Sequence, residues 1–62
     1  MMKQILIIVN DKLICKLIKY NLQDSYTNVY YAVDIKDGFK RYLEREYCLV
    51  IIEIDCRNNR LL

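Results

Sequence analysis

An α/β fold built on a three-stranded parallel sheet is predicted by three features of this 62-residue chain. Two unbroken apolar runs, Ile5 to Val9 and Leu49 to Ile52, leave no polar face, which is the pattern of strands covered on both sides and usually parallel. Between them, apolar residues recur at helical spacing in two separate stretches. With one Gly and no Pro, the chain lacks the turn punctuation of an all-β protein.

The elements follow in order. Ile5 to Val9 forms strand one, bounded by Lys3-Gln4 and Asn10-Asp11. From Lys12 the pattern turns helical: Leu13, Ile14, Leu17, Ile18 and Leu22 share one face, while Lys12, Lys16, Lys19 and Gln23 face elsewhere. Asn10 or Asp11 can cap this helix by accepting the unpaired amide hydrogens of its first turn. Asp24-Ser25 ends it, and Asn28 to Ala32 forms a short, partly polar strand two suited to a sheet edge.

Asp34 starts the second helix, with Asp37 adding negative charge where the helix dipole favours it. Phe39, Tyr42 and Leu43 are its apolar stripe, and Asp37 and Arg41 are spaced for an i,i+4 pair. Gly38 weakens this helix by about 1 kcal/mol relative to Ala, so it is either a plain weakness or, the favoured reading, a place where the helix backbone packs close to the sheet. Arg41, Glu44, Arg45 and Glu46 read as a solvated face. Strand three then runs through Leu49-Val50-Ile51-Ile52-Glu53-Ile54-Asp55, and Arg57-Asn58-Asn59-Arg60 is a polar turn.

Right-handed crossovers place strand one in the middle, in the order 2-1-3, with one helix on each face. The carboxyl edge of such a sheet is where ligands bind. Val9, Asn10 and Asp11 therefore meet Glu53 and Asp55 there.

Residues 1–62 make one domain, and a chain this small buries only about 60% of the surface its unfolded form exposes. At 55% apolar residues it is too hydrophobic for intrinsic disorder. Ten basic and eight acidic residues are interspersed, so the net charge of +2 predicts no direct nucleic-acid or membrane binding. No run reaches the roughly 18 apolar residues of a membrane span, and no secretory signal is visible, so the expected location is cytoplasmic. Cys15, Cys48 and Cys56 are an odd set without metal-ligand spacing, and there is no His. An extended stretch from Cys48 to Cys56 would hold those two roughly 26 Å apart, so three free thiols are expected.

This arrangement resembles the first half of the receiver domains of bacterial two-component response regulators, which have a flavodoxin-like fold. The likeness rests on Ile5-Leu6-Ile7-Ile8, Val9-Asn10-Asp11, the helix stripe Leu13 through Leu22, Val29-Tyr30-Tyr31-Ala32, and Tyr47-Cys48-Leu49-Val50-Ile51-Ile52-Glu53. The resemblance makes Glu53 the phosphoacceptor-equivalent position, and Val9 and Asn10 the acidic-pocket positions, or Asn10 and Asp11 if the register shifts by one. A receiver uses an aspartate and an acidic pair to hold Mg²⁺ and accept a phosphoryl group from a histidine kinase. Here the acceptor is one methylene longer, a displacement of about 1 Å that can reduce rates on the order of 10²-fold. Val9 offers no metal-binding atom. Asp55 lies two residues beyond, roughly 6.6 Å past the pocket. Asp11 and Glu53 are the residual candidates for Mg²⁺. The receiver's Met-Pro turn is absent, and its hydroxyl residue and lysine after strands four and five fall beyond residue 62.

The expectation is a degenerate, truncated receiver that is not phosphorylated, is not an enzyme and acts as an interaction module, with a sensor histidine kinase or another receiver as possible partner. Alternatives are a self-associating structural unit unrelated to phosphosignalling, the N-terminal fragment of a complete response regulator, and a small Mg²⁺-dependent phosphoryl-transfer site at Asn10, Asp11, Glu53 and Asp55. Because strand three is an edge yet apolar, homo-oligomerisation through Leu49, Val50, Ile51, Ile52 and Ile54 is expected. Part of the apolar surface of Ile5 to Val9, of strand three and of both helix stripes is expected to be exposed.

Overall fold

The computed structural model describes residues 2–53. The expectations placed on Ile54, Asp55, Cys56 and residues 57–60 lie outside the described residues. Five elements follow in the expected order: β1 (Lys3–Val9), α1 (Lys12–Leu22), β2 (Thr27–Ala32), α2 (Ile35–Tyr42) and β3 (Leu49–Glu53). All strands are parallel, in the order β2-β1-β3. Ile5 lies opposite Val29 on one side and Leu49 on the other, and Val9 lies opposite Glu53.

β1 is central because its five apolar residues can bury on both faces. Ile5, Ile7 and Val9 join Cys15 of α1 and Val29 of β2 in one cluster, with Ile18, Tyr31 and Ile51 at its margin. Leu6 and Ile8 face the other way, toward α2, so the sheet is a middle layer between two helices. The expectation that part of Ile5 to Val9 is exposed is corrected: all five residues are buried. Two flanking strands and a helix on either side suffice to cover one central strand.

Asp11, not Asn10, caps α1, its Oδ1 accepting from the Leu13 and Ile14 amides at 3.0 and 3.2 Å. The helix buries Cys15 rather than the whole expected stripe, and Leu13 and Leu17 are exposed. The small Cys15 side chain lets the helix approach the sheet, and its Sγ donates to the Val9 carbonyl at 3.2 Å and, weakly, the Ala32 carbonyl at 3.7 Å. Asp34 caps α2 by accepting from the Asp37 amide at 2.7 Å. The Arg41–Asp37 pair forms at 3.2 Å, an exposed contact that stabilises by about 0.3 kcal/mol.

Gly38 is the contact that seats α2. A Cβ there would come within 2.5 Å of Ile8 Cδ1 and 2.7 Å of Ile8 Cγ1, so close packing accounts for the glycine, not an unusual backbone angle. The expected stripe is corrected accordingly: Phe39, Tyr42 and Leu43 are all more than half exposed. Both helices lie over β1 and β2, and neither lies over β3. The reading of Leu49 to Ile52 as covered on both sides fails for that reason, and Leu49 and Ile52 stand about half exposed.

The α2–β3 connection is pinned by side chains. Arg45, expected to be merely solvated, lies over the Tyr30 ring at 4.3 Å and donates to the Tyr30 hydroxyl at 2.9 Å. Tyr47 meets Tyr30 edge-on and stacks with Tyr42, and its hydroxyl donates to the Arg41 carbonyl. The Gln4 side chain donates to the Glu46 carbonyl, and the Cys48 amide donates to the Gln4 carbonyl, each at 2.9 Å. Burial pushes the Tyr47 phenol up from its ordinary value, with the nearby Arg45 charge opposing.

Candidate functional site

The carboxyl edge of the sheet gathers Val9, Asn10, Asp11 and Glu53. Val9 and Glu53 are direct neighbours across the β1–β3 pairing, as the strand order requires. Val9 is buried in the α1-side cluster, so it lines the floor with methyl groups and offers no ligand atom. Asn10 and Asp11 are exposed. One Asp11 oxygen is committed to two backbone amides of α1, which leaves its carboxylate serving the helix. By strand alternation Glu53 falls on the α1 face with Ile51, and it is exposed.

Two carboxylates, one of them a helix cap, are a poor nest for a divalent cation, which prefers several oxygen ligands. Among the described residues no three of His, Cys, Asp and Glu converge as a metal site. Among the described residues, none of Val9, Asn10, Asp11 and Glu53 lines the hollows beside β2, at the amino edge of the sheet or in the α2–β3 groove. Asp55 is outside the described residues.

A second candidate is the uncovered strand β3. Because the Cys48 amide points to β1, alternation turns the Val50 and Ile52 amides inward and leaves those of Leu49, Ile51 and Glu53 on the open edge. Beside it, Ile8, Ile35, Phe39, Tyr42, Val50 and Ile52 line an apolar groove of about 400 Å³ on the α2 face. On the other face Leu13 and Leu17 of α1 are exposed. Cys15 is a buried free thiol and Cys48 an exposed one. Among the described residues no helix is long and apolar enough to cross a membrane.

Sequence reasoning missed Gln23, Tyr30, Arg45 and Tyr47. Gln23 accepts the Val29 amide at 3.0 Å, and nothing in the helical period distinguishes it from its solvated neighbours. The run of tyrosines around an arginine is a visible cue for the second group. No family model, curated protein or solved structure matches this chain.

Proposed function

We propose that this chain is a receiver-like module of the two-component signalling class that does not transfer phosphate and works by contact. One observation carries the reading: at the edge where a receiver would assemble its acidic site, a buried Val9 faces Glu53, and the Asp11 carboxylate caps α1. The parallel order β2-β1-β3 with a helix on each face supports the same reading. A kinase or another receiver is the partner class that the resemblance implies.

The mode of contact is pairing through β3, most simply with a second copy arranged antiparallel about a two-fold axis near Ile51. Two three-stranded sheets would then become one of six strands. Burying about 400 Å² of apolar surface is worth about 10 kcal/mol before the losses of association, which consume much of it. A structural role without signalling is the second reading, favoured by the apolar exposure around β3, which needs no kinase to be used. Capture of a histidine kinase or receiver by the assembled protein separates the two.

Acetyl phosphate with Mg²⁺ tests the first reading. Intact-mass spectrometry is expected to find the protein unmodified, and a phosphoryl adduct on Glu53 would contradict it. The triple change Val9→Glu, Asn10→Asp and Glu53→Asp is expected to raise Mg²⁺ affinity by restoring charge at the pocket positions.

A further inference from the structure

The β2 edge is closed by its own chain. The Thr27 amide donates to the Asp24 carbonyl at 3.3 Å, and the Asp24 amide donates to the Thr27 carbonyl at 3.2 Å, so this outward pair is satisfied locally. Two residues on, the next outward donor is the Val29 amide, which the Gln23 side chain accepts from the C-cap of α1. Oε1 must be the accepting atom, since the amide nitrogen can only donate. Two of the three outward amides of β2 are therefore taken before any partner arrives, which leaves Tyr31. Beside that strand, Lys12, Lys19, Asp37 and Arg41 line a hollow of about 630 Å³, and Lys19 sits over the Tyr31 ring at 5.9 Å. An incoming strand would have to displace Gln23 and strip water from these charges.

We infer that Gln23 is an edge stopper, whose side chain on the Val29 amide bars a second copy from pairing along β2 and so limits self-assembly to a closed pair. A sheet with two open edges has no reason to stop growing, whereas one open edge per copy closes at the dimer. The closure step rests on the reading of β3 as the pairing edge. The blocking of β2 does not.

Gln23→Ala tests it, with Gln23→Glu as the conservative variant because a carboxylate still accepts the Val29 amide. The helix cap itself uses the Gln23 backbone amide, donated to the Lys19 carbonyl at 2.9 Å, so truncating the side chain leaves α1 capped. Amide hydrogen exchange at Val29, read in dilute solution, is expected to accelerate about tenfold in Gln23→Ala, the loss expected for one hydrogen bond. Light scattering is expected to show assemblies that grow beyond the parent's size with concentration, and Gln23→Glu is expected to keep the parent's size. A parent that stays monomeric while Gln23→Ala associates would sustain the stopper and defeat the β3 reading. A folded Gln23→Ala whose size equals the parent's at every concentration overturns the stopper, whether or not Val29 exchanges faster, and leaves the β3 reading intact.

Discussion

Along β2, the outward groups of Thr27 are met by Asp24, the Val29 amide is met by Gln23, and helices stand over the strand on both faces. Along β3, the outward amides of Leu49, Ile51 and Glu53 have no acceptor among the described residues, neither helix covers the strand, and Leu49 and Ile52 stand half exposed beside it. Among the described residues the same sheet thus has one edge finished with polar side chains and one left apolar and open. Edge strands unprotected by charge, bulge or cover are templates for another strand. This difference is what the proposal of contact through β3 rests on.

The largest expected effect comes from placing a charge on the open edge. In the proposed two-fold pair, Ile52→Lys would put two ammonium groups into the interface and remove two isoleucines from it. Dimerisation should weaken on the order of 100-fold, or about 3 kcal/mol for two buried side chains. Asn28→Lys, on the closed edge, is expected to leave the association constant unchanged within error. Sedimentation equilibrium of both variants checks the pair, and equal weakening by both would erase the contrast between the edges.

A smaller effect is expected from disturbing the contact that keeps α2 over β1 and β2. In Gly38→Ala the helix gains about 1 kcal/mol of propensity, but the new methyl overlaps three side-chain atoms of Ile8. Overpacking of this kind typically amounts to about 1–3 kcal/mol, so net destabilisation of about 1 kcal/mol is expected in urea melts. Combining it with Ile8→Ala removes the overlapping atoms, and the double variant should lose less than the sum of the two single changes. Strict additivity would mean that Gly38 does not seat the helix.

The smallest effect concerns the aromatic cluster that pins the approach to β3. The Tyr47 phenol titrates above its ordinary value because burial disfavours the phenolate. Its contribution to stability is therefore present below the unfolded value of about 10 and is lost as pH rises through the higher folded value. The difference in stability between parent and Tyr47→Phe should be constant up to about pH 10 and then move in favour of the phenylalanine variant as pH rises through the higher folded value. Parallel curves throughout would remove Tyr47 as the titrating group.

The strand order, the parallel pairing and the two helices were legible because apolar runs and helical spacing report burial directly, and right-handed crossovers prune the orders open to this element sequence to a few. The cap at Asp34 and the close packing at Gly38 were legible for the same local reasons, whereas the cap of α1 was narrowed only to Asn10 or Asp11. Coverage was not. Periodicity places Leu13, Leu17, Phe39 and Tyr42 on apolar faces but does not say where each helix sits across the sheet. That offset is set by Cys15 and Gly38, the two small residues on which the helices rest. At the carboxyl edge, the neighbourhood of Val9 and Glu53 followed from strand order, whereas the commitment of Asp11 to the cap required its hydrogen bonds. Gln23 escaped because a single side chain turned onto a strand amide has no period.

The open β3 edge is tested most directly by the mass of the parent protein in solution, measured by light scattering at tens of micromolar alongside a circular dichroism spectrum that establishes folding. A mass of twice the 7.5 kDa of the chain is expected, falling to the single-chain value in Ile52→Lys. A folded parent that remains at 7.5 kDa throughout that range would contradict the assignment of β3 as a contact edge.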